Sequence, residues 1–127
     1  MSKEIISVTP EHIQELLPAR LVYSKKGDNG IVLVVGGSGI YHGAPLLSTL
    51  AALRSGVDLV YTAVPKSNVS AIRSFCADVI VLPLPSDKFS TGSAKRLLKI
   101  LPKNPHIAVI GMVMTVERQQ ALVYFDK

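Results

Sequence analysis

The hydrophobic pattern alternates between short, fully apolar runs and longer segments with apolar residues at helical spacing. The apolar runs, which suit strands covered on both faces, lie at about 31–35, 58–64, 78–82 and 106–111. The segments with helical spacing lie between them at about 43–55, 67–76 and 91–102. This alternation predicts an α/β fold in which a parallel sheet carries helices on both faces.

Turn and cap residues set the predicted boundaries. Thr9 is placed to cap a short helix that begins at Pro10, and Gly56 is placed to end the helix at 43–55. Pro83 and Pro85 predict a loop after the third strand, and either Thr91 or Ser93 is expected to start the helix that follows. Thr115 is a candidate cap for a last helix bearing Val116, Ala121, Leu122 and Phe125.

A glycine-rich loop follows the first strand. Gly36–Ala44 leads from the apolar run at 31–35 onto the helix at 43–55. Glycines there let backbone amides approach a ligand, and the helix N-terminus adds partial positive charge. Because ligands of parallel sheets gather at the carboxyl ends of the strands, this loop and the loops after Val64 and Gly111 should share one edge. The pattern therefore favours a phosphate-bearing ligand, and a purely structural turn is the alternative.

The loop matches neither common nucleotide fingerprint. His42 stands where a G-x-G-x-x-G motif starting at Gly37 needs its last glycine, and no Gly-Lys-Ser/Thr triplet follows. Ser38 and His42 resemble a nucleophile and its base, but no orienting acid is evident, so no catalytic residue is assigned. His12, His42 and His106 lack metal-ligand spacing, and no metal site is predicted.

Composition narrows the class of protein. The 127 residues fit a single domain, and 48% hydrophobic against 18% charged residues exclude disorder. The net charge of +5 is dispersed, which argues against nucleic acid as a partner. The single cysteine, Cys76, excludes an internal disulfide, and no apolar run is long enough to span a membrane. These features, with no signal peptide evident, predict a cytoplasmic protein.

Several segments together resemble the ADP/ATP-dependent NAD(P)H-hydrate dehydratases, the ribokinase-like carbohydrate-kinase relatives of the YjeF C-terminal domain. The resemblance rests on Lys25–Gly30, Val35–Ser38, Tyr41–Ala44 and Ala51–Val60, with Thr9 and Leu17–Arg20 fitting the family's start. It implies a three-layer α/β/α sandwich and repair of hydrated nicotinamide cofactors at the expense of ADP or ATP, with magnesium. By the same resemblance, Ala44 would contact the substrate. The further substrate-binding candidates are Gly37, Ser38, His42, Gly43 and Gly111.

The chain departs from the family in two ways. Met112 and Val113 follow Gly111 where the family has Gly-Pro-Gly, which would narrow the substrate site. The family's later elements, including its catalytic aspartate, do not follow before Lys127, so residues 1–127 resemble one partial, truncated domain. We therefore expect a homo-oligomer that covers its unpaired edge, and no turnover by the chain alone. The alternatives are a sugar or vitamin kinase of the same superfamily and a non-catalytic nucleotide-binding remnant.

Overall fold

The computed structural model describes residues 6–116, in which strands and helices alternate along the chain. The helices are α1 (Pro10–Leu16), α2 (Gly43–Arg54), α3 (Val69–Phe75) and α4 (Thr91–Ile100), with a 3-10 turn at Lys66–Asn68 before α3. The strands are β1 (Ile31–Gly36), β2 (Leu59–Pro65), β3 (Ile80–Leu84), β4 (Lys88–Phe89), β5 (Ile107–Met112) and β6 (Thr115–Val116).

The main sheet has four parallel strands in the order β3-β2-β1-β5. β1 lies inside the sheet, where Val32 pairs with Val60 on one side and with Ile107 on the other. All six residues of β1 are buried, as expected for a strand with neighbours on both edges and helices on both faces. The short strands β4 and β6 form a separate parallel pair.

Alternate side chains of the sheet feed two cores, one on each face. Leu33, Val35 and Tyr61 pack with Leu97 of α4 on one face. On the other face, Leu46 of α2 and Ile72 of α3 pack against Val64 and Val81. The result is helix, sheet and helix in three layers, which confirms the predicted α/β architecture.

Pro83 lies within a strand, so the predicted loop at this position is wrong. β3 extends to Leu84, and Pro83 pairs with Val64 of β2. Among the described strands β3 has β2 as its single neighbour, so the missing N–H of Pro83 costs no hydrogen bond on the outer edge.

One predicted helix start is confirmed and another needs correction. α4 begins at Thr91, one of the two predicted starts, and the preceding Ser90 caps it by accepting a hydrogen bond from the Ser93 amide. Thr115 belongs to β6 and pairs with Lys88. Val116, the next residue of the predicted last helix, is also in β6, and the residues of that helix after Val116 lie outside the described residues.

Two polar side chains, those of Asp58 and His106, accept hydrogen bonds from the backbone at the amino-terminal edge of the sheet. Asp58, just before β2, accepts hydrogen bonds from the backbone amides of Gly27 (2.9 Å) and Asn29 (3.0 Å), and it pairs with Arg20. His106, just before β5, accepts the Ile31 amide on its Nδ1 at 3.1 Å. Asp58 therefore serves the edge opposite the glycine-rich loop.

Candidate functional site at the switch point of the sheet

The strand order creates a crevice between β1 and β5. From β1 the chain moves outward through β2 and β3, then crosses back to place β5 on the other side of β1. The connections after β1 and after β5 therefore diverge at the carboxyl edge of the sheet. In open α/β sheets such a reversal of strand order is where ligands bind.

The glycine-rich loop is folded tightly against the end of β5. Gly37 has a φ of +84° and donates its amide to the Met112 carbonyl at 2.8 Å. Ser38 and Tyr41 then exchange amide-to-carbonyl bonds of 3.0 and 3.2 Å. A Cβ on Gly37 would meet the Tyr41 oxygen at 3.0 Å, so this turn requires glycine on both conformational and steric grounds.

These bonds decide which amides can reach a ligand. The amides of Gly37, Ser38 and Tyr41 are used within the protein. Gly43 and Ala44 open α2, where amides have no acceptor inside the helix, and Pro45 has no amide hydrogen. The part of the loop best suited to an anionic group is therefore the start of α2 and not the glycine turn itself.

The turn after β2 holds two other loops in place. Asn68 is 5% exposed, and its Nδ2 donates to the Ser38 carbonyl at 2.8 Å and to the Tyr41 carbonyl at 3.3 Å. Its neighbour Ser67 donates its hydroxyl to Asp87 at 3.0 Å, in the connection that follows β3. The loops after β1, β2 and β3 thus meet at one edge, as the topology predicts for the loops after Val35 and Val64.

The crevice at this edge has a volume of about 420 Å³. Its lining residues come from three segments of the chain, namely Ser38, Gly39, Ile40, Tyr41, Asp87, Lys88, Val113, Met114 and Thr115. Val113 has a φ of +50°, a left-handed conformation that is unfavourable for a β-branched residue. The backbone of Val113 is therefore strained, and its side chain forms part of the crevice wall.

The six predicted substrate-binding residues lie at the same edge in different surroundings. Ser38 lines the crevice, and Gly37 is buried in the turn beside it. His42 is exposed at the N-cap of α2 without a side-chain capping bond, and within the described residues no hydrogen bond joins it to Ser38. Gly43 is exposed and a Cβ there would meet nothing within 4 Å, whereas Ala44 is half-buried.

Gly111 differs from the other candidates because it lies within β5. Its φ is +107°, and a Cβ there would point into open space. It precedes Met112, where the pairing register of β1 and β5 shifts. Gly111 therefore shapes the end of β5 at the crevice.

Sequence reasoning missed Asn68 and Asp87. Both are polar residues in connections that follow a parallel strand, which was the available signal. Their contacts join residues about 20 to 50 positions apart, such as Ser67 with Asp87 and Asp87 with Gly39, so no local pattern reveals them.

A second depression lies at the opposite edge of the sheet. It has a volume of about 470 Å³, and its lining includes Leu21, Tyr23, Asn29 and His106. It is slightly larger than the crevice, but it lies at the amino-terminal ends of the strands, away from the switch point. We regard the crevice as the candidate site because it lies at the strand reversal and is lined by the loop that leads into α2.

Comparison with protein families shows which family the chain is related to. A family model described as NAD(P)H-hydrate dehydratase matches residues 32–123. The chain belongs to the NAD(P)H-hydrate dehydratase family. The match includes the glycine-rich loop and the connections that line the crevice, which confirms the resemblance found in the sequence.

Individual relatives agree with this family. The chain is 49% identical, over 95% of its length, to the ADP-dependent (S)-NAD(P)H-hydrate dehydratase of Nitrosopumilus maritimus, of which it covers 42%. It is 32% identical, over 78% of its length, to an ATP-dependent (S)-NAD(P)H-hydrate dehydratase of Pediculus humanus, of which it covers 32%. The chain thus spans about two fifths, or less, of the curated relatives it matches.

A solved structure supports the fold. A ribokinase-like superfamily protein from Enterococcus faecalis superposes with a TM-score of 0.71 and 20% identity, over 94% of this chain and 39% of the other. This likeness bears on architecture alone, and it agrees with the ribokinase-like fold that the resemblance implies.

The described residues do not fit a protein-held magnesium site. Among residues 6–116, no three His, Cys, Asp or Glu side chains lie close enough together to bind one ion. Mg²⁺ is held by carboxylates and substrate phosphates in octahedral geometry, and this crevice offers Asp87 as its carboxylate.

Among residues 6–116, no helix is long and apolar enough to cross a membrane.

Proposed function

We propose that the crevice between β1 and β5 binds NADH or NADPH that has taken up water on the reduced ring. The protein would use this site in the ADP- or ATP-dependent dehydration that its relatives' names describe. The supporting observation is a crevice at the switch point whose lining residues Ser38–Tyr41 lead, two residues later in the chain, into the start of α2 at Gly43 and Ala44. A dinucleotide carries the diphosphate that the amides at a helix start favour.

Each candidate residue has a distinct role in this proposal. Gly43 and Ala44 donate backbone amides, and Gly43 leaves room for the ligand to approach. Ser38 faces the ligand from the turn that Gly37 makes possible. His42 stands beside the helix start, where its ring can donate to the ligand, and Gly111 keeps the end of β5 free of side chain.

Binding selectivity tests the proposal. Isothermal titration of the purified chain should give saturable, one-site binding of hydrated NADH or NADPH, and weaker binding of intact NADH. A sugar or vitamin alcohol that binds more tightly than the hydrates would favour the kinase alternative of the same superfamily. Binding of none of these compounds would contradict the proposal.

The proposal assigns binding and orientation, not turnover, to residues 6–116. Within these residues the crevice has Asp87 as its carboxylate and no adjacent histidine, so no acid–base pair is in place. We therefore expect no catalytic recovery of the near-ultraviolet absorbance of NADH when the chain is mixed with hydrated NADH and ADP or ATP. Recovery over many turnovers would contradict this assignment.

We also propose that two copies of the chain associate along β5. Among the described strands β5 pairs with β1 alone, and its side chains Ile107 and Val109 are 63% and 40% exposed. Such an apolar edge is a template for another strand, and a second copy supplies the same edge. Light scattering should give a dimer that Val109→Lys dissociates, whereas a monomer at high concentration would contradict the association.

A further inference from the structure

Asp87 places a carboxylate at the mouth of the crevice. It is exposed, and it lines the crevice between the glycine-rich loop and the segment that follows β5. Of the described residues that line the crevice, it is the one with a carboxyl group. Neither the family match nor the names of the relatives gives it a role.

The loop that carries Asp87 is held by its own hydrogen bonds. The hydroxyl of Ser86 donates to the Lys88 carbonyl at 2.6 Å and accepts the Lys88 amide at 3.2 Å, which closes a tight turn around Asp87. Ser67 donates to Oδ1 of Asp87 at 3.0 Å. The carboxylate is therefore oriented before any ligand arrives, and little conformational freedom is lost when it binds.

Gly39 leaves the space that Oδ2 of Asp87 occupies. A Cβ built on Gly39 would lie 2.8 Å from that oxygen, closer than real contacts allow. A side chain at position 39 would therefore push the carboxylate away from the loop. The position of the Asp87 carboxylate therefore depends on Gly39. Its Oδ1 accepts the hydrogen bond from Ser67, and its Oδ2 lies against the glycine-rich loop at Gly39.

We propose that Asp87 accepts hydrogen bonds from the ribose hydroxyls of the dinucleotide bound in the crevice. This inference rests on the proposed function, which supplies the ligand. An ionised carboxylate only accepts hydrogen bonds, and the neighbouring hydroxyls of a ribose present two donors at matching spacing. In dinucleotide-binding folds an acidic side chain likewise accepts a hydrogen bond from a ribose hydroxyl, although that residue lies at a different place in the chain.

The sign of the mutational effect separates this role from simple electrostatics. A carboxylate that makes no bond to the ligand repels the ligand's diphosphate, so removing its charge would tighten binding. If the carboxylate binds the ribose, its hydrogen bonds to the hydroxyls outweigh its repulsion of the diphosphate, so removing the carboxylate weakens binding. Lys88 lies next to Asp87 in the lining and is left in place, so the cationic side of the site stays constant.

Titration of hydrated NADH into Asp87 variants tests the inference. We expect Asp87→Ala to raise the Kd about tenfold, and Asp87→Asn, which keeps one acceptor oxygen, to raise it by about threefold. Asp78→Asn is the matched control, because Asp78 is exposed in the turn before β3, at the opposite edge of the sheet. It removes the same charge from the protein and should leave the Kd unchanged.

The outcomes distinguish the two proposals. If the unmodified chain binds hydrated NADH and the Asp87 variants bind equally well or more tightly, the role of Asp87 is refuted while the proposed function stands. If the unmodified chain does not bind the hydrate, the proposed function itself fails for this chain. Unchanged melting temperatures for the variants would show that the weaker binding is not a folding defect.

Gly39→Ala provides a second, independent variant. The added methyl group would displace Oδ2 of Asp87 while leaving the charge present. We expect it to weaken binding of hydrated NADH in the unmodified background and to have little further effect when Asp87 is already alanine. Equal effects in both backgrounds would contradict the arrangement described here.

Discussion

The side-chain amide of Asn68 donates hydrogen bonds to the backbone carbonyls of both Ser38 and Tyr41. These carbonyls also accept each other's amides, so one buried side chain closes the turn that borders the crevice. The shape of the glycine-rich loop is therefore set partly by a residue in the connection after β2. Asn68 is a positioning residue for the candidate site.

Removing the donor at position 68 should destabilise the fold and weaken ligand binding. Asn68→Ala removes one of the two hydrogen bonds that the Ser38 carbonyl accepts, while the bond from the Tyr41 amide remains, so we expect a loss of about 0.5–1.5 kcal/mol of unfolding free energy. Asn68→Asp should cost more, because a carboxylate oxygen would face carbonyl oxygens. Chemical denaturation measures both effects, with exposed Asn104→Ala as the control. An Asn68→Asp variant as stable as the unmodified protein would contradict this role.

A substitution at Gly43 separates an effect on ligand binding from an effect on the stability of the fold. A Cβ at Gly43 meets nothing within 4 Å, so Gly43→Ala should raise stability by about 0.5 kcal/mol through helix propensity. If a ligand occupies the open space, the same change should weaken binding of the hydrate. Gly92→Ala in the first turn of α4 is the matched control, and it should stabilise the protein without changing the Kd. Equal Kd values for the two variants would place the ligand elsewhere.

Val113 carries strain that a glycine would relieve. Its φ of +50° is costly for a β-branched residue, whereas glycine adopts it freely. We expect Val113→Gly to raise the free energy of unfolding by about 0.5–1 kcal/mol, even after the added entropy of the unfolded chain. It should also tighten binding of the hydrate, because the side chain lines the crevice. Loss of stability in denaturant titrations would show that the valine side chain contributes more packing than strain.

The parts of the fold that follow from local pattern were predictable from the sequence. The buried run at 31–35, the cap at Thr9 and the glycine just past the end of α2, Gly56, involve near neighbours in the chain, and the structure has them as expected. Pro83 was placed in a loop because the edge position of β3, which permits it, depends on strand order. Asn68 and Asp87 were missed for the same reason, since their partners are brought near only by the assembled sheet.

The Asp58 cluster should make stability depend on acid pH. The Asn29 amide lowers the pKa of the Asp58 carboxyl, as do the Gly27 amide, the Asn29 side chain and Arg20, while desolvation acts against them. Because the folded-state pKa is depressed, this stabilisation is present above the ordinary aspartate value of about 3.9 and is lost as the pH falls through the lower folded value.

Denaturant titrations between neutral and acid pH measure this dependence. Asp58→Asn should lower stability at neutral pH and lose less of it on acidification than the unmodified chain. Asp78→Asn, which removes an exposed carboxyl at the same edge of the sheet, should leave the acid profile unchanged. If the unmodified chain and Asp58→Asn have parallel profiles, the cluster does not contribute in this way.

Amide chemical shifts during titration with hydrated NADH locate the ligand most directly. Binding at the switch point should shift the resonances of Gly39, Ile40, Gly43, Ala44 and Thr115, and leave those of Gly27 and Asn29 unchanged. Shifts confined to Gly27, Asn29, Gly30 and His106 would instead place the ligand in the depression at the amino-terminal edge, and would contradict the assignment of the crevice as the dinucleotide site.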